Sequence, residues 1–211
     1  MKLRITRHAV IALWIFLPTA LFAQNDLSLW NRSAYGENVP YPWYLYIGSK
    51  VSFDARYNFD QKKTGAMFVG KPIGNSKFMA IPAAGALFGK YNGISPQVYF
   101  LVNVGRMNLF TMHQYVKALG QSSNDFQYHW VDALFVTNKH LSVGVDYQVY
   151  HEPKSGFAEH DLGPSAKYVL GSFKVGEKRT MSPYLRAWYA RSLGPGNSDA
   201  NLLFLVLGAS F

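Results

Sequence analysis

From Trp43 to Phe59 the chain alternates apolar and polar positions with almost no break. Trp43, Leu45, Ile47, Val51, Phe53, Ala55, Tyr57 and Phe59 hold the odd places, with Ser49 the exception; Tyr44, Tyr46, Gly48, Lys50, Ser52, Asp54, Arg56 and Asn58 hold the even ones. A period of two places alternate side chains on opposite faces of a strand and does not suit a helix. The run exceeds the usual strand of about 5–6 residues. Leu141, Val143, Val145, Tyr147 and Val149 repeat the pattern against Ser142, Gly144, Asp146 and Gln148. The last segment repeats it more weakly, with Leu203, Leu205, Leu207, Ala209 and Phe211 on one face. The chain offers no convincing amphipathic helix.

Turn residues between such runs predict strands over 43–59, 64–73, 77–88, 96–104, 108–118, 125–137, 140–151, 161–175, 180–192 and 201–211. The connections sort by length. Gly74-Asn75-Ser76, Gly105-Arg106-Met107, Asn138-Lys139 and Gly176 to Arg179 read as tight turns. Asp60–Lys63, Gly89–Ser95, Leu119–Asn124, Glu152–His160 and Leu193–Ala200 read as longer links. Short turns alternating with long loops belong to a transmembrane barrel. Lipid offers backbone groups no partner, so a sheet within it must close on itself. The expected fold is therefore all-β, an antiparallel up-and-down transmembrane barrel of about ten strands, with eight or twelve as alternatives.

Composition agrees with this reading. Of 211 residues, 49% are hydrophobic, 16% aromatic and only 16% charged, against about 25% charged in soluble domains. Mean hydropathy is nevertheless −0.05, as when one face of each strand is apolar and the other polar. Cysteine is absent, which removes thiol nucleophiles, disulfides and zinc–thiolate sites. Met1–Ala23 reads as a secretory signal, with Lys2, Arg4 and Arg7 before the apolar Ala9–Leu17 and a small-residue end at Ala23. Its removal takes three cations and no acid, lowering the net charge from +9 to +6. Residues 24–42 would then be a short periplasmic lead-in, and 43–211 the barrel. Tyr41, Trp43 and Tyr44 at the first strand, with Tyr128 and Trp130 in the sixth, are candidates for interfacial aromatic girdles.

The ending Leu207-Gly208-Ala209-Ser210-Phe211, an amphipathic strand closed by Phe, resembles that of small Gram-negative outer-membrane β-barrel proteins. Phe22-Ala23 before Gln24 is similar to the signal ends of Bacteroidetes-type exported proteins, and Ile81-Pro82-Ala83-Ala84-Gly85 with Gly93-Ile94-Ser95-Pro96 resembles a pattern in uncharacterised barrels of that group. The resemblance implies outer-membrane localisation and Phe211 as the signal read by the barrel-assembly machinery. It also implies contact with outer-membrane lipid and lipopolysaccharide.

Candidate chemistry is sparse. Lys50, Asp54, Arg56, Asp146, Lys167 and Arg186 are expected to face the lumen, as a narrow, slightly anion-favouring passage or as a salt-bridge network that fills it. His140-Leu141-Ser142 spaces a base and a hydroxyl on one strand face and is similar to the His-x-Ser of outer-membrane lipid A deacylases, although Val143-Gly144 departs from that pattern. His151, Glu152, Glu159, His160 and Asp161 gather nitrogen and oxygen ligands around one loop, which otherwise reads as solvated. His113, His129 and Asp132 read as lumen or girdle residues, and Asp132 interrupts the aromatic face of Phe126, Tyr128 and Trp130, hinting at a bulge or a shifted register. Lys62, Lys63 and Lys90 fall on outer loops, where lipopolysaccharide phosphates would meet them. No phosphate-cradling loop opens a helix, so no nucleotide cofactor is expected, and an exported barrel is not expected to meet nucleic acid. Three functions follow: an outer-membrane barrel with a structural, interaction or narrow-conductance role; a rim enzyme acting on lipid or peptide; or a soluble periplasmic ligand-binding barrel.

Overall fold

The computed structural model describes residues 24–34, 37–59, 62–120, 124–175, 179–193 and 200–211. The signal segment expected over 1–23 lies outside the described residues. Long strands follow the period-two runs closely: β6 (Phe78–Gly89), β7 (Gly93–Val104), β8 (Met107–Ala118), β9 (Phe126–Val136), β10 (Leu141–Glu152), β11 (Phe157–Val169), β13 (Arg179–Leu193) and β14 (Ala200–Ser210). Short pieces flank two connections, β5 (Ile73–Gly74) and β12 (Phe173–Val175).

The N-terminal quarter differs from expectation. Residues 24–42 supply a strand of their own, β1 (Gln24–Ala34), and the first part of β2 (Glu37–Ile47). The run expected as one strand over 43–59 is a hairpin: β2 ends at Ile47, the Gly48 N–H donates to the Val51 carbonyl at 2.9 Å, and β3 (Ser52–Tyr57) returns to β4 (Thr64–Gly70). Lys50, expected in the lumen, sits exposed in that turn. Pro40 and Pro42 disguised β2, because proline cannot donate to a ladder. Both lie before Trp43, where pairing with the short β3 begins, and meet only β1 on the other side. Two residues apart, their missing donors face the same unladdered edge.

Among the described strands, neighbours run in sequence from β1 through β4, then β6 through β11, β13 and β14, every pair antiparallel, with β5 set off this path against β6. β1 pairs with β14 (Asp26 opposite Ser210) and β11 with β13, so twelve strands close the wall. The expectation of about ten falls short by the β1 strand and the split of 43–59. Phe211 continues the seam: its N–H donates to the Asn25 carbonyl at 2.9 Å. That end also carries the Gly48–Val51, Gly105–Arg106 and Thr137–His140 turns. Gly105 adopts φ +59°, the left-handed conformation a two-residue hairpin between Val104 and Met107 requires.

The wall presents its apolar face outward. Leu205 is 49% exposed, Leu207 56% and Val145 53%, with Met67, Val69, Ile94, Leu162 and Leu185 similarly bare. A soluble barrel would bury that face, so the soluble reading fails on the solvation of its exterior. A closed sheet with an apolar outside and polar groups inside satisfies every requirement of a bilayer. At Gly208 a Cβ would lie 2.3 Å from the Tyr184 ring opposite, so only glycine lets that ring lie across the inner wall.

Candidate functional site

The inner face is aromatic as much as charged. Trp30 on β1, Trp43 on β2, Phe110 on β8 and Trp130 on β9 all point inward, and Phe59 joins them from just beyond β3. Their rings meet: Trp30 and Trp130 edge to face at 5.2 Å between centroids, Trp43 and Trp130 at 5.6 Å, Phe110 and Trp130 at 5.0 Å, and Phe59 and Trp43 at 5.7 Å. Tyr41, Trp43 and Trp130, expected as girdle residues, are thus buried in the lumen. In β2 the apolar odd positions face inward, and in β3 the polar even ones do. The turn between them reversed the parity that the uninterrupted pattern concealed.

Two clamps hold the indoles. The Trp43 Nε1–H donates to Asp54 at 2.7 Å, and Asp54 also accepts from Gln97 at 3.1 Å and from the Tyr99 hydroxyl. Arg56 lies 3.6 Å from Asp54, donates to Gln97 at 3.0 Å and Gln114 at 2.8 Å, and rests on the Phe59 and Phe68 rings. Across the lumen, the Trp130 Nε1–H donates to Asp146 at 2.7 Å. Arg186 pairs with Asp146 and with Asp132 at 2.8 Å, donates to Ser165 at 3.2 Å, and lies over Trp30 and Trp130. Each clamp has the same logic: an indole, an aspartate that accepts from it, and an arginine beside the aspartate that also rests on aromatic rings, Phe59 and Phe68 for Arg56, Trp30 and Trp130 for Arg186. Burying such charges is tolerable because each is paired and hydrogen-bonded.

Asp54, Arg56, Asp146 and Arg186 therefore come together in one layer, with each arginine facing acid. Lys167, opposite Arg186 in the register, sets its Nζ 3.9 Å from the centre of the Tyr184 ring, whose hydroxyl donates to Asp26 at 2.8 Å. Asp132 needs no bulge. Phe126, Tyr128, Trp130 and Asp132 share the lumenal face, and the acid is the clue the pattern held, since a mid-span carboxylate belongs away from lipid. Nothing comparable marked Trp43 before the turn was located.

Towards the loop end, above Trp30 and Phe59, the lumen widens into a vestibule of about 610 Å³. Its wall combines Tyr41, Tyr91, Tyr128 and Tyr150 with Lys62 and Lys90 on one side and Glu152, Glu159 and Asp161 on the other. Arg32 bridges inward to Glu159 at 3.2 Å and to Asp161 at 3.9 Å, and Ser192 donates to Glu159 at 3.1 Å.

The five residues gathered between 151 and 161 are separated by strand alternation. Glu152, Glu159 and Asp161 line the vestibule, whereas His151 and His160 occupy outward positions of β10 and β11. His160 meets the Tyr147 hydroxyl at 2.8 Å instead. Among the described residues, no group of three or more His, Asp or Glu is placed to hold a metal. His140 puts its Nδ1 2.9 Å from the Val169 carbonyl and stacks on Tyr168, an arrangement that closes a strand end and leaves Ser142 to pair with Lys167 and Val136. The base–nucleophile and loop-metal arrangements are not assembled.

Searches by sequence find neither a matching family model nor a curated relative. Comparison of folds does. The NanC porin aligns at a TM-score of 0.57 and 12% identity, covering 89% of this chain and 98% of that one. The KdgM porin aligns at 0.53 and 10%, covering 88% and 98%. The chain has a porin fold. At such identities the likeness concerns the path of the wall and carries no ligand with it.

Proposed function

We propose that the protein is an integral outer-membrane barrel with a narrow-conductance role, in which the paired Trp–Asp–Arg clamps form the constriction. The single observation that carries this reading is the opposition of Trp43–Asp54–Arg56 and Trp130–Asp146–Arg186 inside a closed wall with an apolar exterior. The clamps narrow the passage with rigid rings, Arg56 matching Asp54 and Arg186 set between Asp132 and Asp146. Solutes would gather in the vestibule and meet the buried indoles and guanidinium groups beneath it. Outer-membrane lipid surrounds the wall in this reading, and Phe211 beside Asn25 stands where assembly machinery would engage the last strand. The structure offers the rim-enzyme reading no assembled group, since the residues it relied on divide between the two faces of the wall.

Planar-bilayer recording on refolded protein tests the proposal. Wild type should give small, discrete conductance steps, and Trp43→Ala and Trp130→Ala should each enlarge them. Equal silence from wild type and both variants, with the folded barrel verified by heat-modifiable gel mobility, would leave a purely structural role.

A further inference from the structure

The outer face carries a feature the lumen does not explain. His113 on β8 and His129 on β9 stand directly opposite each other in the antiparallel register. Both alternate with buried lumenal neighbours, Met112 and Gln114 on one strand and Trp130 on the other, so both rings project from the outside of the wall. They are half-buried, and their Nδ1 atoms face each other at 3.0 Å, with ring centroids 5.2 Å apart. Phe100 flanks His113 at 6.2 Å. The next outward positions toward the loop end are Tyr115 and Gln127, which pair with each other, and His151, which pairs with Gln127.

We infer that His113 and His129 form a two-imidazole chelate for a divalent transition metal on the outer face of the barrel. As the pair stands, one Nδ1–H donates to the other Nδ1. If that donor ring moves its proton to Nε2, both Nδ1 lone pairs become free, with no bond lost but a hydrogen bond. A metal bound by imidazole lies about 2.0–2.1 Å from each nitrogen. Nitrogens 3.0 Å apart then subtend about 95° at the metal, whereas a tetrahedral angle would need about 3.3 Å. The geometry suits the cis positions of a tetragonal or octahedral ion, and imidazole pairs of that kind select copper(II) or nickel(II). Gln127 and His151 are the nearest further donors along the same face towards the loops, and water would complete the remaining positions. An ordinary structural zinc site would need four ligands closed around it, which this pair does not supply.

Copper(II) titration of the refolded full-length barrel in detergent, read by electron paramagnetic resonance, tests the assignment. Wild type should bind one ion with hyperfine structure from two equivalent nitrogens. His113→Phe and His129→Phe, apolar replacements suited to an outward position, should each weaken binding by roughly a hundredfold, because loss of one arm removes the intramolecular second contact. His140→Phe and His160→Phe should leave both affinity and spectrum unchanged. Gel mobility before and after heating confirms that every variant is folded. Binding that survives in both His113→Phe and His129→Phe, or that follows His140 or His160, overturns the assignment, as does wild type that binds no copper.

Discussion

Arg186 offers the most exacting test of how the lumen is held. Its guanidinium faces two acids, Asp132 at 2.8 Å and Asp146, and Asp146 in turn fixes the Trp130 indole. Arg186→Met keeps much of the stem's bulk over Trp30 and Trp130 but leaves two buried carboxylates without the cation they share. Removing one partner of a buried ion pair costs about 3–5 kcal/mol, against about 0–1 kcal/mol for an exposed pair. Because two acids lose the same cation, the upper half of that range is expected. It corresponds to about three powers of ten in the ratio of folded to unfolded protein. Urea unfolding in detergent or lipid vesicles, followed by tryptophan fluorescence and by gel mobility, measures it. The reasoning makes a second demand. Adding Asp132→Asn and Asp146→Asn to Arg186→Met should recover most of the loss, since the cost lies in unpaired charge and not in missing volume. A single variant within about 1 kcal/mol of wild type, or a triple variant no more stable than the single one, would refute the clamp as described.

Other expectations concern the wall and its loops. Leu205→Arg, at the middle of β14 on the outward face, should destabilise the barrel by about 2–4 kcal/mol in lipid vesicles; a change near zero would mean that this face does not meet hydrocarbon. Gly208→Val should cost about 1–3 kcal/mol through crowding against the Tyr184 ring, and pairing it with Tyr184→Ala should relieve the crowding, which thermal unfolding of the double variant would show. Beside the loop after β8, Asp125 accepts from the Lys117 ammonium at 2.8 Å and from the Ala118 N–H at 3.0 Å, and these bonds hold its carboxyl down at about 2. Its folded value lies below the ordinary 3.8, so its contribution is complete above about pH 4 and is lost as pH falls through about 2. Protection of the Ala118 amide, relative to its intrinsic exchange rate, should therefore fall over that window, and Asp125→Ala, which removes the acceptor, should abolish it at every pH.

Much of the wall was legible along the chain because lipid and lumen impose opposite polarity on alternate residues. The strands from β6 to β10, β13 and β14 stand within a few residues of their expected bounds, whereas the run expected over 161–175 divides into β11 and β12; Asp54, Arg56, Asp146 and Arg186 fall on the lumenal parity. The failures share one cause. Where the lumen itself is aromatic, both faces of a strand are apolar, and parity no longer tells inside from outside. Trp43, Leu45 and Ile47 then read as continuous with Val51, Phe53 and Ala55, although the first set points inward and the second outward. Pro40 and Pro42 compounded the error by making β2 look like a lead-in, when they lie where β2 runs past the end of its ladder with β3. His113 and His129 were visible as histidines, but sixteen residues separate them in sequence, and only the register sets their nitrogens face to face.

By itself the sequence determined the class of solution. Period-two alternation, few charges and many aromatics leave a closed antiparallel sheet in lipid as the arrangement that pairs every backbone group. What it could not determine was closure. Strand number, the sense of β2 and the partners of each buried charge depend on which residues meet across strands far apart in the chain. Those meetings are set by the register of the whole barrel: Trp43 reaches Trp130, and Asp146 on β10 reaches Arg186 on β13, because twelve strands have come round to a seam between β1 and β14. Local polarity chose the wall, and only tertiary closure decided what fills it.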